Sequence, residues 1–407
     1  MHKWSSNHPN ILADVPIEHC QLDELEFEWQ GCSIKALGLT LDAKKDCFII
    51  KAPKNVITPM ITKRIILSKI AELYDPLGFV SPIVVQAKLI MQKLWLEKIN
   101  WDDTPSQGLI EEWLKFANNL SNMQPIHFNR NIHIPSHTDT VQLIGFADAS
   151  STTGYGCCIY LRTVDHQGKV TLSLLCSKSR INPCAKPLSI PRLELNANLL
   201  LAHLMTKVYN TLIIKIKITG VYLFSDSKVA LAWIETDVTK LQPYISNRVR
   251  IIKQITHRWQ WLYVQSQENP ADFLSRGLSP QEISCCSMWW NGPTFLQSRE
   301  YNFEPQPISL PDHLPELKSG LHSADKMKAN VAKQLMGSLP RQRVTASRAF
   351  HIVGVDFAGP VQVKNSRIRR AIVSKGYPAL RDLLLEEHCP PRSSVTMEVP
   401  FAAQRTN

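Results

Sequence analysis

From Val141 onward the chain presents three strand-length runs in immediate succession, and this order constrains the fold more than any other feature. VQLIGFAD, YGCCIYLRT and VTLSLLCSK read as strands divided by the turn segments SSTTG and DHQGK. A long helical period follows over Arg192 to Asn210, then a fourth strand, TGVYLFSD. SKVALAWIE reads as a helix with Ser225 or Asp226 as its cap. A helix over Tyr244 to His257, a fifth strand in WQWLYVQ and a helical turn in PADFLSR complete the series, with Asn269 as cap and Pro270 at the first helical position. Three hairpin strands followed by alternating helices and strands describe a mixed α/β domain with helices packed on a five-stranded sheet. That arrangement sets the ends of the first and fourth strands side by side.

Upstream, KALGLTLDAKKDCFIIK (Lys35 to Lys51) reads as two short strands around a polar turn at Asp42 to Asp46. From Thr62, which can cap, Ile65, Ile66, Ile70 and Leu73 recur at helical spacing until DPLG stops the run. Further helices fit Pro82 to Glu97 and Gln107 to Leu120. These helices carry no clustered acids or histidines and read as scaffold. Downstream, residues 281–345 are rich in Pro, Ser and Gln and read as a partly ordered linker. HIVGVDFAGPV, from His351, has the pattern of one more buried strand ending in Asp356, and no period persists after Arg367.

With 407 residues the chain has room for two or three domains. Its net charge of +11 favours a polyanionic partner such as nucleic acid, or else serves solubility; charge alone does not decide. The ten cysteines form no CxxC motif and no Cys/His set with zinc spacing, so they read as reduced core filler in an intracellular protein. The N-terminus lacks the apolar core of a signal peptide, and no run approaches the ~20 apolar residues of a membrane helix.

Four carboxylates stand out against this background. Asp148 ends LIGFAD, Glu194 lies in the first turn of the long helix, Asp226 ends VYLFSD, and Asp272 follows the proline turn ENPAD. Each alone has a structural explanation as a cap, a turn residue or a first-turn acid. Convergence of all four at one sheet edge would demand cations to offset their repulsion. Hard oxygen ligands suit Mg²⁺, and two such ions about 4 Å apart are what phosphodiester hydrolysis uses.

The strings FADASSTTGYG, SKSRINP, SIPRLELNANLLLAHL, FSDSKVALAWI, ISNRVRIIKQI and NPADFLSRG occur in order over roughly residues 140–280. Together they resemble the ribonuclease H-like region of BEL/Pao-type LTR retrotransposon polyproteins. The upstream segments are similar to the stretch just after the polymerase palm in such polyproteins, and FHIVGVDFAGPV resembles the start of an integrase core. The resemblance implies a division into a reverse transcriptase remnant (1–60), a helical thumb-like segment (61–135), a ribonuclease H-like domain (136–280), the linker (281–345), an integrase stub (346–370) and an unmatched tail (371–407). It further implies that Asp148, Glu194, Asp226 and Asp272 bind two Mg²⁺, or Mn²⁺, and hydrolyse the RNA strand of RNA–DNA hybrids, with Asp356 as the first acid of an incomplete integrase site. Nucleic acid and other parts of the polyprotein are the implied partners, without a membrane or a small-molecule cofactor. A cytoplasmic particle or the nucleus is the implied setting. A nucleic-acid-binding relic without catalysis is the alternative.

The paired aspartates of a polymerase palm are missing, and His313 and His322 have no nearby cysteine partners for the zinc module expected before an integrase. That family block is sometimes called an aspartic peptidase. No Asp-Thr/Ser-Gly loop supports this: Asp139 and Asp226 precede Thr and Ser, but no Gly follows. For backbone phosphates the candidate cations are Lys178 and Arg180, just past the third strand, and Arg250 and Lys253, which share one face of the Tyr244–His257 helix. A solvated amphipathic helix explains the latter pair equally well.

Overall fold

The computed structural model describes residues 14–16, 33–36, 39–42, 45–130, 132, 134, 138–184, 187–304 and 320–321. These lie in the first of two compact units, Met1–Gln334; the second, Leu335–Asn407, is outside them. Asp356, the integrase segment 346–370 and the tail therefore lie outside the described residues, as does most of the linker.

A four-stranded antiparallel sheet comes first: β1 (Ser33–Ala36), β2 (Leu39–Asp42), β3 (Cys47–Ile50) and, after three helices, β4 (Ile126–Asn129). The expected turn joins β2 to β3, where Asp42 faces Cys47. The helices are α1 (Lys63–Glu72), α2 (Ser81–Leu96) and α3 (Gln107–Ser121). Thr62 caps α1 as read, accepting from the Ile65 amide at 3.3 Å. No side chain of its own N-cap closes α2; instead Asp75, in the DPLG turn, accepts from the Phe79 and Val80 amides at 2.9 and 2.7 Å. Because β3 pairs with β4, Ile50 facing Ile126, a boundary at residue 60 would divide one sheet. Sequence reading missed β4, whose four residues are too few to show a period.

The second sheet holds β5 (Thr138–Ala149), β6 (Gly154–Asp165), β7 (Val170–Ile181), β8 (Gly220–Ser225) and β9 (Gln260–Tyr263), in the order β7-β6-β5-β8-β9. The first three are antiparallel, and β8 and β9 run parallel to β5. Between them come α4 (Ile190–Leu212), α5 (Lys228–Glu235) and α6 (Pro243–Ile255); α7 (Asp272–Arg276) follows β9. This is the mixed five-stranded architecture expected.

On one face of the sheet Leu143, Ala147, Ile159 and Leu223 meet Leu193, Ala197, Leu201 and Met205 of α4. A second apolar cluster, around Trp233, Leu195 and Val249, joins α4 to α5 and α6. The opposite face belongs to a core shared by Ile144, Phe146, Tyr160 and Phe224 with α2, α3 and α7. At Gly156 a Cβ would collide with Leu274, so glycine there lets α7 lie against β6.

Residues just after 280 are not linker. They form α8 (Pro280–Cys285), α9 (Ser287–Asn291) and a 3₁₀ turn at Thr294–Gln297. Ser279 and Glu282 make a capping box, and Trp289 and Leu296 are fully buried. Trp289 donates to the Phe79 carbonyl at 2.9 Å and accepts from the Tyr160 hydroxyl at 2.7 Å through its own carbonyl. Burial of two aromatic-rich turns outweighs the proline and serine content on which the linker reading rested. Among the described residues no helix is long and apolar enough to cross a membrane.

Candidate metal centre

The parallel register of β5 and β8 builds the site. Ala147 faces Ser225, so the next residue on each strand, Asp148 and Asp226, emerge together at the same sheet end. α4 starts at Ile190, so Glu194 lies in its second turn and not in its first as expected, and from there it reaches over that end. One ligand oxygen from each of Asp148, Glu194 and Asp226 can be chosen so that all lie within 4.8 Å of one another. Asp226 is available because α5 is capped by Ser227, whose hydroxyl accepts from the Ala230 amide at 3.3 Å, and not by Ser225 or Asp226 as expected.

Asp272 does not join this set of three. It is the first residue of α7, and its carboxylate pairs with Arg276 Nε at 2.6 Å. Its charge nevertheless reaches the others, adding to the repulsion that raises Asp148 and Glu194. Pro270 is not helical; Asn269 accepts from the Ala271 amide at 3.1 Å just ahead of α7.

Electrostatics mark the cluster as poised for cations. Burial, then the neighbouring Asp226, pushes Asp148 up to about 7. Burial and the Asp148 and Asp226 charges hold Glu194 well above the carboxylate range. Burial raises Asp272 too, against the opposing pull of Arg276. Glu194 Oε2 and Asp226 Oδ1 are buried without any hydrogen-bond partner. Two orphaned acceptors in a nest of carboxylates fit a hard divalent cation held by oxygen.

Three residues that sequence reasoning passed over brace these acids. Ser266 donates to Asp226 Oδ2 at 2.7 Å, and the Ser275 hydroxyl, which donates to the Asp272 carbonyl at 3.1 Å, sits near enough to Asp148 to oppose the rise of its pKa. Asn269, fully buried, donates to the Ala147 carbonyl at 3.0 Å and so ties the segment before α7 to the strand that bears Asp148. Ser275 and Asn269 belong to the NPADFLSR string, where the adjacent acid drew the attention.

The expected cations fall into three situations. Lys178 and Arg180 lie within β7, not past it, and both are half-buried. The register runs from Ala149 through Tyr155 to Arg180, two strand spacings of about 4.8 Å across the acid-bearing end of the sheet. Arg250 is exposed on α6. Lys253 is committed to structure: its Nζ donates to the Glu235 and Thr236 carbonyls at 3.2 and 2.8 Å, closing the end of α5.

Three antiparallel strands continued by two parallel ones, with acids at the ends of the first and fourth and on the following helix, define a ribonuclease H-like domain. Residues 62–227 match the family described as Pao retrotransposon-like RNaseH-like domain, and this part of the chain is a retrotransposon ribonuclease H-like region. The match includes Asp148, Glu194 and Asp226 and ends before Asp272. Among solved structures, the foamy viral protease-reverse transcriptase in complex with double-stranded DNA is 13% identical, with a TM-score of 0.34 over 57% of this chain and 45% of that one. The N-terminal RNase H domain of a Mycobacterium tuberculosis protein, fused to maltose-binding protein, is 13% identical over 33% of this chain and 95% of that one, with a TM-score of 0.24. An RNase H1 isolated from compost, in complex with RNA/DNA hybrid, is 14% identical over 33% of this chain and 93% of that one, with a TM-score of 0.22. The chain spans less than half the length of the foamy viral proteins it matches. No curated protein matches it.

Proposed function

We propose that this protein is a divalent-metal-dependent ribonuclease H-type hydrolase that cuts the RNA strand of RNA–DNA hybrids. The convergence of Asp148, Glu194 and Asp226 carries the reading: three acids from two strands and a helix share a space of 4.8 Å and leave two buried oxygens unpaired. The donor set is all carboxylate oxygen, which suits two Mg²⁺, with Mn²⁺ as a substitute. Asp272 is the fourth acid of this proposal, reaching the site once its bond to Arg276 opens. Bound there, the cations would activate a water and stabilise the departing 3′ oxygen. The protein's own part is positional. Ser266 fixes the rotation of the Asp226 carboxylate, and Asn269 holds the α7 segment to β5. In this reading Lys178, Arg180 and Arg250 would meet backbone phosphates, and the net charge of +11 favours the same polyanion.

The full chain is expected to shorten the RNA of a labelled hybrid when Mg²⁺ is present and to leave a DNA duplex intact. Asp226→Asn should reduce that rate at least about 100-fold, in line with loss of a charge-stabilising group. Intact RNA after incubation of folded protein with Mg²⁺ or Mn²⁺ would sink the proposal. One observation favours the second reading, a binding protein without turnover: Arg276 withholds the Asp272 carboxylate from the other three. Hybrid binding unchanged by EDTA, with no cleavage even in Arg276→Ala, would select it.

A further inference from the structure

Two guanidinium groups share one aromatic ring at the seam of α4 and α6. The Arg248 guanidinium lies 3.5 Å from the Tyr244 ring centre and that of Arg192 lies 5.3 Å from it. Arg248 is fixed: Nε donates to Asn196 Oδ1 at 2.6 Å and Nη1 to the Tyr244 carbonyl at 3.0 Å. The Tyr244 hydroxyl donates to the same Asn196 oxygen at 3.2 Å. Arg192 is different, for its Nε is buried with no hydrogen-bond partner. Among the described residues neither arginine forms an ion pair with a carboxylate.

Two like charges converging on one ring without a counter-ion repel each other, and an anion between them would relieve the repulsion. Planar guanidinium forks match the paired oxygens of a phosphate. The place also matters. Arg192 stands in the first turn of α4, the helix that also carries Glu194, and leaves it on the side that faces α6.

We infer that Arg192 and Arg248, set around Tyr244, form a subsite for a nucleic-acid backbone phosphodiester at the seam of α4 and α6. The subsite deepens the hydrolase reading and rests on it for its purpose, but its test measures binding alone. Neither arginine was among the cations expected from sequence, because Glu194 drew the reading of the run around Arg192, and Arg248 comes just before the more conspicuous Arg250 and Lys253.

The test uses the full chain, fluorescein-labelled RNA–DNA hybrid and the same-sequence DNA duplex, followed by anisotropy over a salt series with EDTA present. Arg192→Ala should weaken binding about tenfold at 0.1 M salt and lower the slope of log affinity against log salt by about one. Arg192→Lys, which keeps the charge, should retain most of the slope. Arg248→Ala should act in the same direction, and the double variant should lose about two from the slope. Hybrid and duplex should suffer equally, since the phosphate is common to both. Melting of Arg192→Ala should match the wild type, because its Nε makes no bond to lose. An unchanged slope in folded Arg192→Ala, a loss confined to the hybrid, or no binding of either duplex by the wild type would each overturn the subsite. Arginine-dependent binding without Mg²⁺-dependent cleavage would instead defeat the hydrolase reading and leave the subsite standing.

Discussion

Replacing Asp148 with asparagine is expected to raise the melting temperature of the metal-free protein at pH 8 while removing hybrid hydrolysis. Burial and Asp226 lift Asp148 to about 7 in the folded state, against an ordinary value of 3.8. A carboxyl raised on folding binds more protons in the folded chain than in the unfolded one, so its contribution to stability is complete below about pH 4 and disappears as pH rises through about 7. At pH 8 the ionised group is therefore a burden, on the order of 4 kcal/mol. Asparagine keeps the shape and removes the charge, so the gain should approach roughly 5 °C. At pH 4, where Asp148 is protonated in the folded protein, the variant should gain little. Mg²⁺ should raise the wild-type melting temperature at pH 8 and raise that of Asp148→Asn much less. Thermal melts with EDTA and with Mg²⁺ at both pH values decide the matter. A variant that melts below the wild type at pH 8 with EDTA would show that the acid cluster carries no electrostatic load.

The second large effect belongs to Arg162, far from the acids in role. Its guanidinium is 2% exposed and donates to Gln142 Oε1 at 2.7 Å, to the Leu296 carbonyl at 2.8 Å and to the Ser298 carbonyl at 2.6 Å. It also lies 5.7 Å from the Phe303 ring. One side chain on β6 thus fastens the 294–303 segment to the sheet. Arg162→Ala strands three acceptors in a buried setting, and the expected loss is about 3 to 5 kcal/mol. Urea unfolding should report that loss, and limited proteolysis should cut first near residues 294–304. A variant with wild-type resistance to both would mean that the segment is held by Leu296 and its aromatic neighbours alone.

The five-stranded domain was legible because its elements are long and differ in period. β5, β6 and β7 each run for twelve residues, and α4 for 23, so tertiary context had little left to decide. Asp148 and Asp226 could be singled out because each ends an apolar strand run. What brings them together is the parallel register of β5 with β8, and the order of strands and helices implied it. Legibility failed where a choice depended on contacts. In the string SDSK three neighbours could cap α5, and the competition was resolved for Ser227 while Asp226 turned to Ser266. Lys253 shares a helical face with Arg250 in any projection, but only packing reveals the α5 carbonyls waiting at its tip. The Asp272–Arg276 pair has the i,i+4 spacing of a helical ion pair, yet a helix of five residues gives too little pattern to predict it. The short helices after residue 279 were obscured by proline and serine, although MWW already contained the side chain that anchors them.

That anchoring has a practical consequence for anyone excising the ribonuclease H-like portion. A fragment trimmed to residues 136–280 discards α2, whose Lys88 donates to the Ser179 carbonyl at 2.7 Å and whose Gln92 donates to the Asn182 carbonyl at 2.7 Å. It also discards Trp289 and Leu296, both wholly enclosed in the intact chain. Such a fragment would keep only α7 on that face of its sheet, bare the rest of it to water and tend to aggregate. The smallest piece worth expressing runs from β1 to just beyond Phe303, so that β3 keeps its pairing with β4, and the ribonuclease H-like fold here is a component of that larger body.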